Sequence, residues 1–320
     1  MTALDLDNAR GLVKVRPSTD GKLHVTAIKI CRLQRAEDAR RYLRETTVES
    51  RAEQGRWVVR VTYPRRIDSR IDFWQIFREH SGGLEFPVLE VQLLVEAPAG
   101  WNTRAESVSG DLDVALMRGK IELRSSSGDI ALADATGAAD LQTRSGDVDA
   151  AGVGTVRLRS ASGDITVAGA GALDAESTSG DIEVEGARDS LRLASRSGDV
   201  RVDAAPLGVS CTTTSGSIRV GAAAGLVRLH TLSGDLGVTL APGVRRCDAA
   251  TGSGSLDADL DPGLSATIRM QTTSGDIECA AAVRTQSQDR RHLTAVFGRG
   301  GAPVTLQTVS GDLNLTSGGH

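Results

Sequence analysis

Nine aspartates, Asp111, Asp129, Asp147, Asp164, Asp181, Asp199, Asp235, Asp276 and Asp312, each follow a Ser-Gly pair. Carboxylates repeated this regularly can do two kinds of chemistry. They can ligate a row of hard cations such as calcium, or accept hydrogen bonds from a turning backbone. Every copy has the same local need, so turn hydrogen bonds are the expected role and a calcium ladder is the sharper alternative. The four cysteines, Cys31, Cys211, Cys247 and Cys279, lack Cys-x-x-Cys or metal-ligand spacing and suggest no disulfide framework. Glu79, His80 and Ser81 are too local to assemble a catalytic triad. No catalytic, cofactor-binding or metal-binding residue is expected, and no cofactor.

One segment concentrates a different chemistry. Residues 65–86 place Phe73-Trp74-Gln75-Ile76-Phe77 among Arg65, Arg66, Arg70 and Arg78. Rings and guanidinium groups together are what protein interfaces favour at their hot spots. Arg70, Phe73, Trp74, Phe77 and Arg78 are therefore candidate partner contacts, with packing over the end of the repeat as the structural alternative.

The elements that position the aspartates come from a repeat. Ser-Gly-Asp or Ser-Gly-Ser is centred on Gly110, Gly128, Gly146, Gly163, Gly180, Gly198, Gly216, Gly234, Gly254, Gly275 and Gly311. Most intervals are 17 or 18 residues, and the last, at 36, is twice the repeat. Two positions after each glycine stands an aliphatic residue, as in Leu112, Ile130, Val148, Ile165, Ile182 and Val200. Four after it the chain is again apolar, and most residues five and seven before it are apolar too.

Apolar residues two apart share one face of a strand, so each coil supplies two short strands with apolar faces turned inward. Such a coil cannot bury that face alone, and parallel stacking at roughly 4.8 Å makes the core continuous. Three before every glycine is a Ser or Thr, expected to point inward at the corner. Gly128, Asp129, Gly163, Asp164, Gly180, Asp181, Gly198 and Asp199 are read as structural turn residues, with glycine supplying an unusual backbone geometry. Cys211, Cys247 and Cys279 fall in aliphatic columns and read as small buried hydrophobes.

The predicted fold is all-β in the main: a single-chain parallel β-solenoid of about 11 coils with an 18-residue repeat. Residues 89–320 form the solenoid. Residues 1–88 form an N-terminal β-rich cap containing a short helix at Ala36–Glu45 and carrying the insertion 65–86. The last coil, ending at Leu315, reads as poorly covered, and Arg284–Arg299 as a degenerate coil or an excursion. With aromatics at only 3%, the core must consist of small and branched aliphatics in narrow layers.

Residues 1–86 carry 17 Lys/Arg against 12 Asp/Glu, a net +5, and the remainder 20 against 29, a net −9. The total of −4 argues against nucleic acid as a partner. No run of 18 apolar residues and no charged-then-apolar leader is present, so neither a signal peptide nor a transmembrane helix is expected.

These columns, the Ala-Pro-Ala-Gly stretch Ala97–Gly100 and the closing Gly298–Leu315 resemble the bacterial putative-adhesin family of β-strand repeat proteins, domain of unknown function 4097. The resemblance covers the repeat region. It implies a β-solenoid associated with the cell envelope or surface, and it carries over no catalytic residue.

The expected function is a non-catalytic, adhesin-like scaffold presenting a repetitive surface to a protein or cell-envelope component. Two alternatives are a polysaccharide-acting β-helix enzyme and a filament or homo-oligomer assembled through the solenoid ends. An enzyme would need non-repeated acids, bases or cations converging between long loops, whereas these coils leave only short ones.

Overall fold

The computed structural model describes residues 2–33, 35–64 and 89–318. The chain is a mainly-β parallel solenoid, and its alternating apolar residues dictate the architecture. Strands such as Ile165–Ala168 and Val156–Ser160 bury every second residue, and each pairs in parallel with its counterpart one repeat away. Ile130 faces Leu112 and Val148, and Ile165 faces Val148 and Ile182. Val200 continues the row, and all these side chains are buried. The strands before the corner stack into one sheet and those after it into another, with a single aliphatic core between. Each buried Val, Leu or Ile contributes roughly 1.5–3 kcal/mol on transfer from water.

Glycine is required at the corner, but for closeness more than for torsion. A Cβ on Gly128 would lie 2.2 Å from the Gly110 carbonyl oxygen, and one on Gly146 would lie 2.1 Å from that of Gly128. The seven corner glycines from Gly110 to Gly216 do not have positive φ, whereas Gly234, Gly254, Gly275 and Gly311 lie at +146 to +152°. The unusual geometry expected of every corner thus belongs only to the later ones.

The corner hydroxyls change role at nearly the same point. Ser107 through Ser195 accept from the N–H of the glycine three residues on, at 2.8–3.1 Å. From Thr213 onward the hydroxyl instead donates to a glycine carbonyl of the neighbouring rung.

The first residues join the ladder out of chain order. Strands Ala3–Asn8 and Val13–Pro17 pair in parallel with Asn102–Ser107 and Leu112–Ala115 on one side. On the other side they pair with Arg56–Thr62 and Leu89–Ala97. Strands from both sides of residue 88 therefore share one stack. Gly11 takes the corner position, with its carbonyl oxygen 2.0 Å from where a Gly110 Cβ would sit. Buried Asn8 stands where later rungs have a hydroxyl, opposite Ser107. Its Nδ2 donates to the Val91 carbonyl at 2.7 Å and its Oδ1 accepts from the Tyr63 hydroxyl at 2.7 Å. Outside this stack, His24–Cys31 and Thr47–Glu53 close the two sheets with antiparallel strands. The helix Ala36–Glu45 links them.

The other end repeats the device, and the expectation of an uncovered final coil is corrected. Ala302–Ser310 and Leu313–Ser317 do not end the stack. They lie between the rung of Cys247 and Leu256 and the rung Ala266–Ser274/Ile277–Cys279. The excursion beyond that rung is an antiparallel pair, Arg284–Gln288 on His292–Phe297, which covers Ala266–Ser274. Two rungs thus precede the eleven built on Ser-Gly corners, and the thirteen span about 60 Å at the usual strand spacing.

Candidate functional site

The aspartates hold neighbouring rungs together. Asp129 N–H donates to Asp111 Oδ1 at 3.0 Å, and Asp147 N–H to Asp129 Oδ1 at 2.9 Å. The series continues through Asp164, Asp181 and Asp199 to the N–H of Ser217. Like charges one rung apart repel by about 1 kcal/mol in water. A hydrogen bond to a charged acceptor contributes about 1.5–3 kcal/mol, so the ladder is net favourable. The acceptor role is between coils, a step beyond the turn within one coil that the motif suggests.

The thiols serve packing. Cys211 and Cys247 are buried in the aliphatic ladder, and burial pushes both up to about 12. Cys279 sits in the outermost parallel rung and is only partly buried, so the expectation that it is fully inside is corrected. An unfolded thiol ionises near 8.5. Because the folded values are raised, this contribution to stability is complete below that pH and is lost as pH climbs toward 12. Melting temperature should fall across this range, and the fall should be shallower in Cys211→Val/Cys247→Val. An identical pH slope in the two proteins would refute this account.

The candidate contacts Arg70, Phe73, Trp74, Phe77 and Arg78, together with Glu79, His80 and Ser81, lie outside the described residues.

The surface relief leaves no invariant column in the repeat. A trough of about 770 Å³ runs along the sheet of strands that precede the corner. Small residues, among them Ala138, Ala172 and Gly208, are part of its lining. A row of side chains in register also lines it: Asp140, Arg157, Asp174, Arg192, Ser210 and Arg228. The position six before each corner glycine marks that row in the sequence, but its residue types vary, so no conspicuous column signals it. A second trough of about 790 Å³ on the other sheet has Arg201 and Arg219 toward one end and Asp257, Asp259 and Glu278 toward the other. Asp257 and Asp259 there accept from Asn314 and Thr316.

Near-identical coils joined by backbone ladders, side-chain hydrogen bonds and a shared aliphatic core define a repeat protein of the β-solenoid class. The chain belongs to the Toastrack DUF4097 family, whose model matches residues 1–224 and 208–316. The match starts at the first residue, so it takes in the N-terminal rungs as well as the repeat. A crystal structure of a "putative cell adhesion protein" from Clostridium sporogenes aligns over 99% of this chain and 92% of its own, at 8% identity and a TM-score of 0.19. No curated protein matches the chain. Among the described residues, no helix is long and apolar enough to cross a membrane.

Proposed function

We propose that this protein is a non-catalytic, adhesin-like scaffold whose outward faces bind a protein or cell-envelope component by extended, repeated contacts. One observation supports this most. The groups best able to do chemistry are committed to holding rungs together: the aspartates to backbone N–H donors, the corner hydroxyls to glycines, and Cys211 and Cys247 to the core. What remains outward is a regular relief of charges and small residues, suited to recognition along a length. Arg70, Phe73, Trp74, Phe77 and Arg78 are proposed as a second contact region, and the cell envelope or surface as the location.

The test is binding and turnover on the same purified envelope fractions, namely glycans, lipid vesicles and surface proteins. The expected result is saturable binding to at least one fraction, weakened when residues 65–86 are replaced by a short Gly-Ser linker, with no product formed. Turnover of a glycan that a single outward substitution abolishes would overturn the non-catalytic reading.

A further inference from the structure

Three arginines in the first trough have no ion-pair or hydrogen-bond partner among the described residues. Several guanidinium groups elsewhere on the same sheet are matched. Arg157 reaches Asp174 at 3.1 Å, Arg159 reaches Glu176 at 3.2 Å, and Arg246 reaches Asp248 at 2.7 Å. Arg192 and Arg228 instead flank Ser210 in one row, each one rung away from it. Arg245 is the extra residue where the register skips from Val244 to Arg246. An irregularity of this kind re-aims a side chain out of the ladder. All three arginines are exposed, and all three line the trough with Ser190, Leu207 and Leu226.

We infer that this part of the trough binds an acidic polysaccharide of the uronate class, lying along the solenoid axis. The inference rests on the binding-scaffold reading and names a ligand class for it. A guanidinium fork matches a carboxylate in a bidentate pair. Arg192 and Arg228 stand two rungs apart, roughly 9.6 Å on the strand spacing. In an extended uronate chain of two-fold form, every second carboxylate faces the same side, which matches two forks on alternate rungs. The small residues in the lining leave room for sugar rings, and exposed Leu207 and Leu226 offer apolar surface to their C–H faces. Ser190 and Ser210 supply partners for hydroxyls.

A phosphate polymer fits less well. Asp140, Asp174 and Asp248 share the row with the arginines and would face a continuous line of phosphates. Nor does the trough lining include an aromatic ring on which a base could stack.

The experiment is titration of the full chain with an oligogalacturonate, a neutral dextran and an oligodeoxynucleotide of equal charge, at low and high salt. Saturable oligogalacturonate binding that weakens with salt, with little binding of the other two, is expected. Arg192→Gln/Arg228→Gln should weaken it by about tenfold for each arginine removed. Absent binding, an unchanged affinity in the double variant, or equally tight oligonucleotide binding would overturn the assignment. Should the variant not fold, amide exchange on the parent protein decides: oligogalacturonate must protect the segments around Arg192, Ser210 and Arg228. Failure here alongside saturable capture of another envelope fraction would remove the ligand class and leave the scaffold reading standing.

Discussion

Gly146→Ala should destabilise the solenoid by roughly 3 kcal/mol or more, at the upper end of overpacking costs. The added methyl would stand 2.1 Å from the Gly128 carbonyl oxygen and 2.5 Å from its carbon, both backbone atoms that cannot swing aside. Relief requires two rungs to separate by about 1 Å, more than hydrogen bonds of ordinary length tolerate. Those at risk include Asp147 N–H to Asp129 Oδ1 and Ile130 N–H to the Asp147 carbonyl, both at 2.9 Å. Gly186→Ala is the matched control. Its φ is +64° and a Cβ there meets nothing within 4 Å, so it incurs only the torsional penalty of about 1–2 kcal/mol. Denaturant melts of the two variants, with limited proteolysis to place the weak point, separate stacking from torsion. A Gly146→Ala protein no less stable than Gly186→Ala would show that close approach is not why glycine is there.

The stacked corners were legible because their demand recurs at every rung: a glycine, a hydroxyl three before it, and aliphatics at fixed offsets. Those same offsets hold around Gly11, with Leu4 and Leu6 before it, Asn8 at the hydroxyl position and Val13 and Val15 after it. Ala9-Arg10-Gly11-Leu12 lacks the Ser-Gly pair that marks the other corners. Parallel pairing is indifferent to chain order, so a segment with the right columns can enter the stack wherever two rungs leave room.

The motifs at Gly275 and Gly311 present the same difficulty. Both carry the full set of columns, and nothing in either states which is inner. A further column is inconspicuous in the sequence: Met117, Ala135, Val153, Ala170, Ala187 and Ala205 line a second inner corner. In the first five of these rungs a left-handed residue stands just before it, Gly152, Gly169 or Gly186 but also Leu116 and Asp134, whereas Ala204 before Ala205 is not left-handed. With two non-glycines in that series, the position does not announce itself. The trough was hidden for a related reason, since unpaired arginines can be distinguished from paired ones only once the neighbouring rungs are known.

The order of rungs at the C-terminal end can be tested through burial. Leu306 is fully buried, between Ala249 of one rung and Met270 of the next. Ile182 is buried in mid-stack between Ile165 and Val200. An aspartate at either site loses the apolar transfer energy and places a carboxylate where no cation or donor awaits it, a cost of roughly 4 kcal/mol or more. Leu306→Asp and Ile182→Asp should therefore be comparably damaging in denaturant melts and in resistance to protease. In a stack that followed chain order, the rung holding Leu306 would have one face open, and the carboxylate could turn toward water at a cost near 1 kcal/mol, within the range of ordinary substitutions. A Leu306→Asp protein that melts close to the parent while Ile182→Asp collapses would mean that Ala302–Ser317 lies on the outside of the stack.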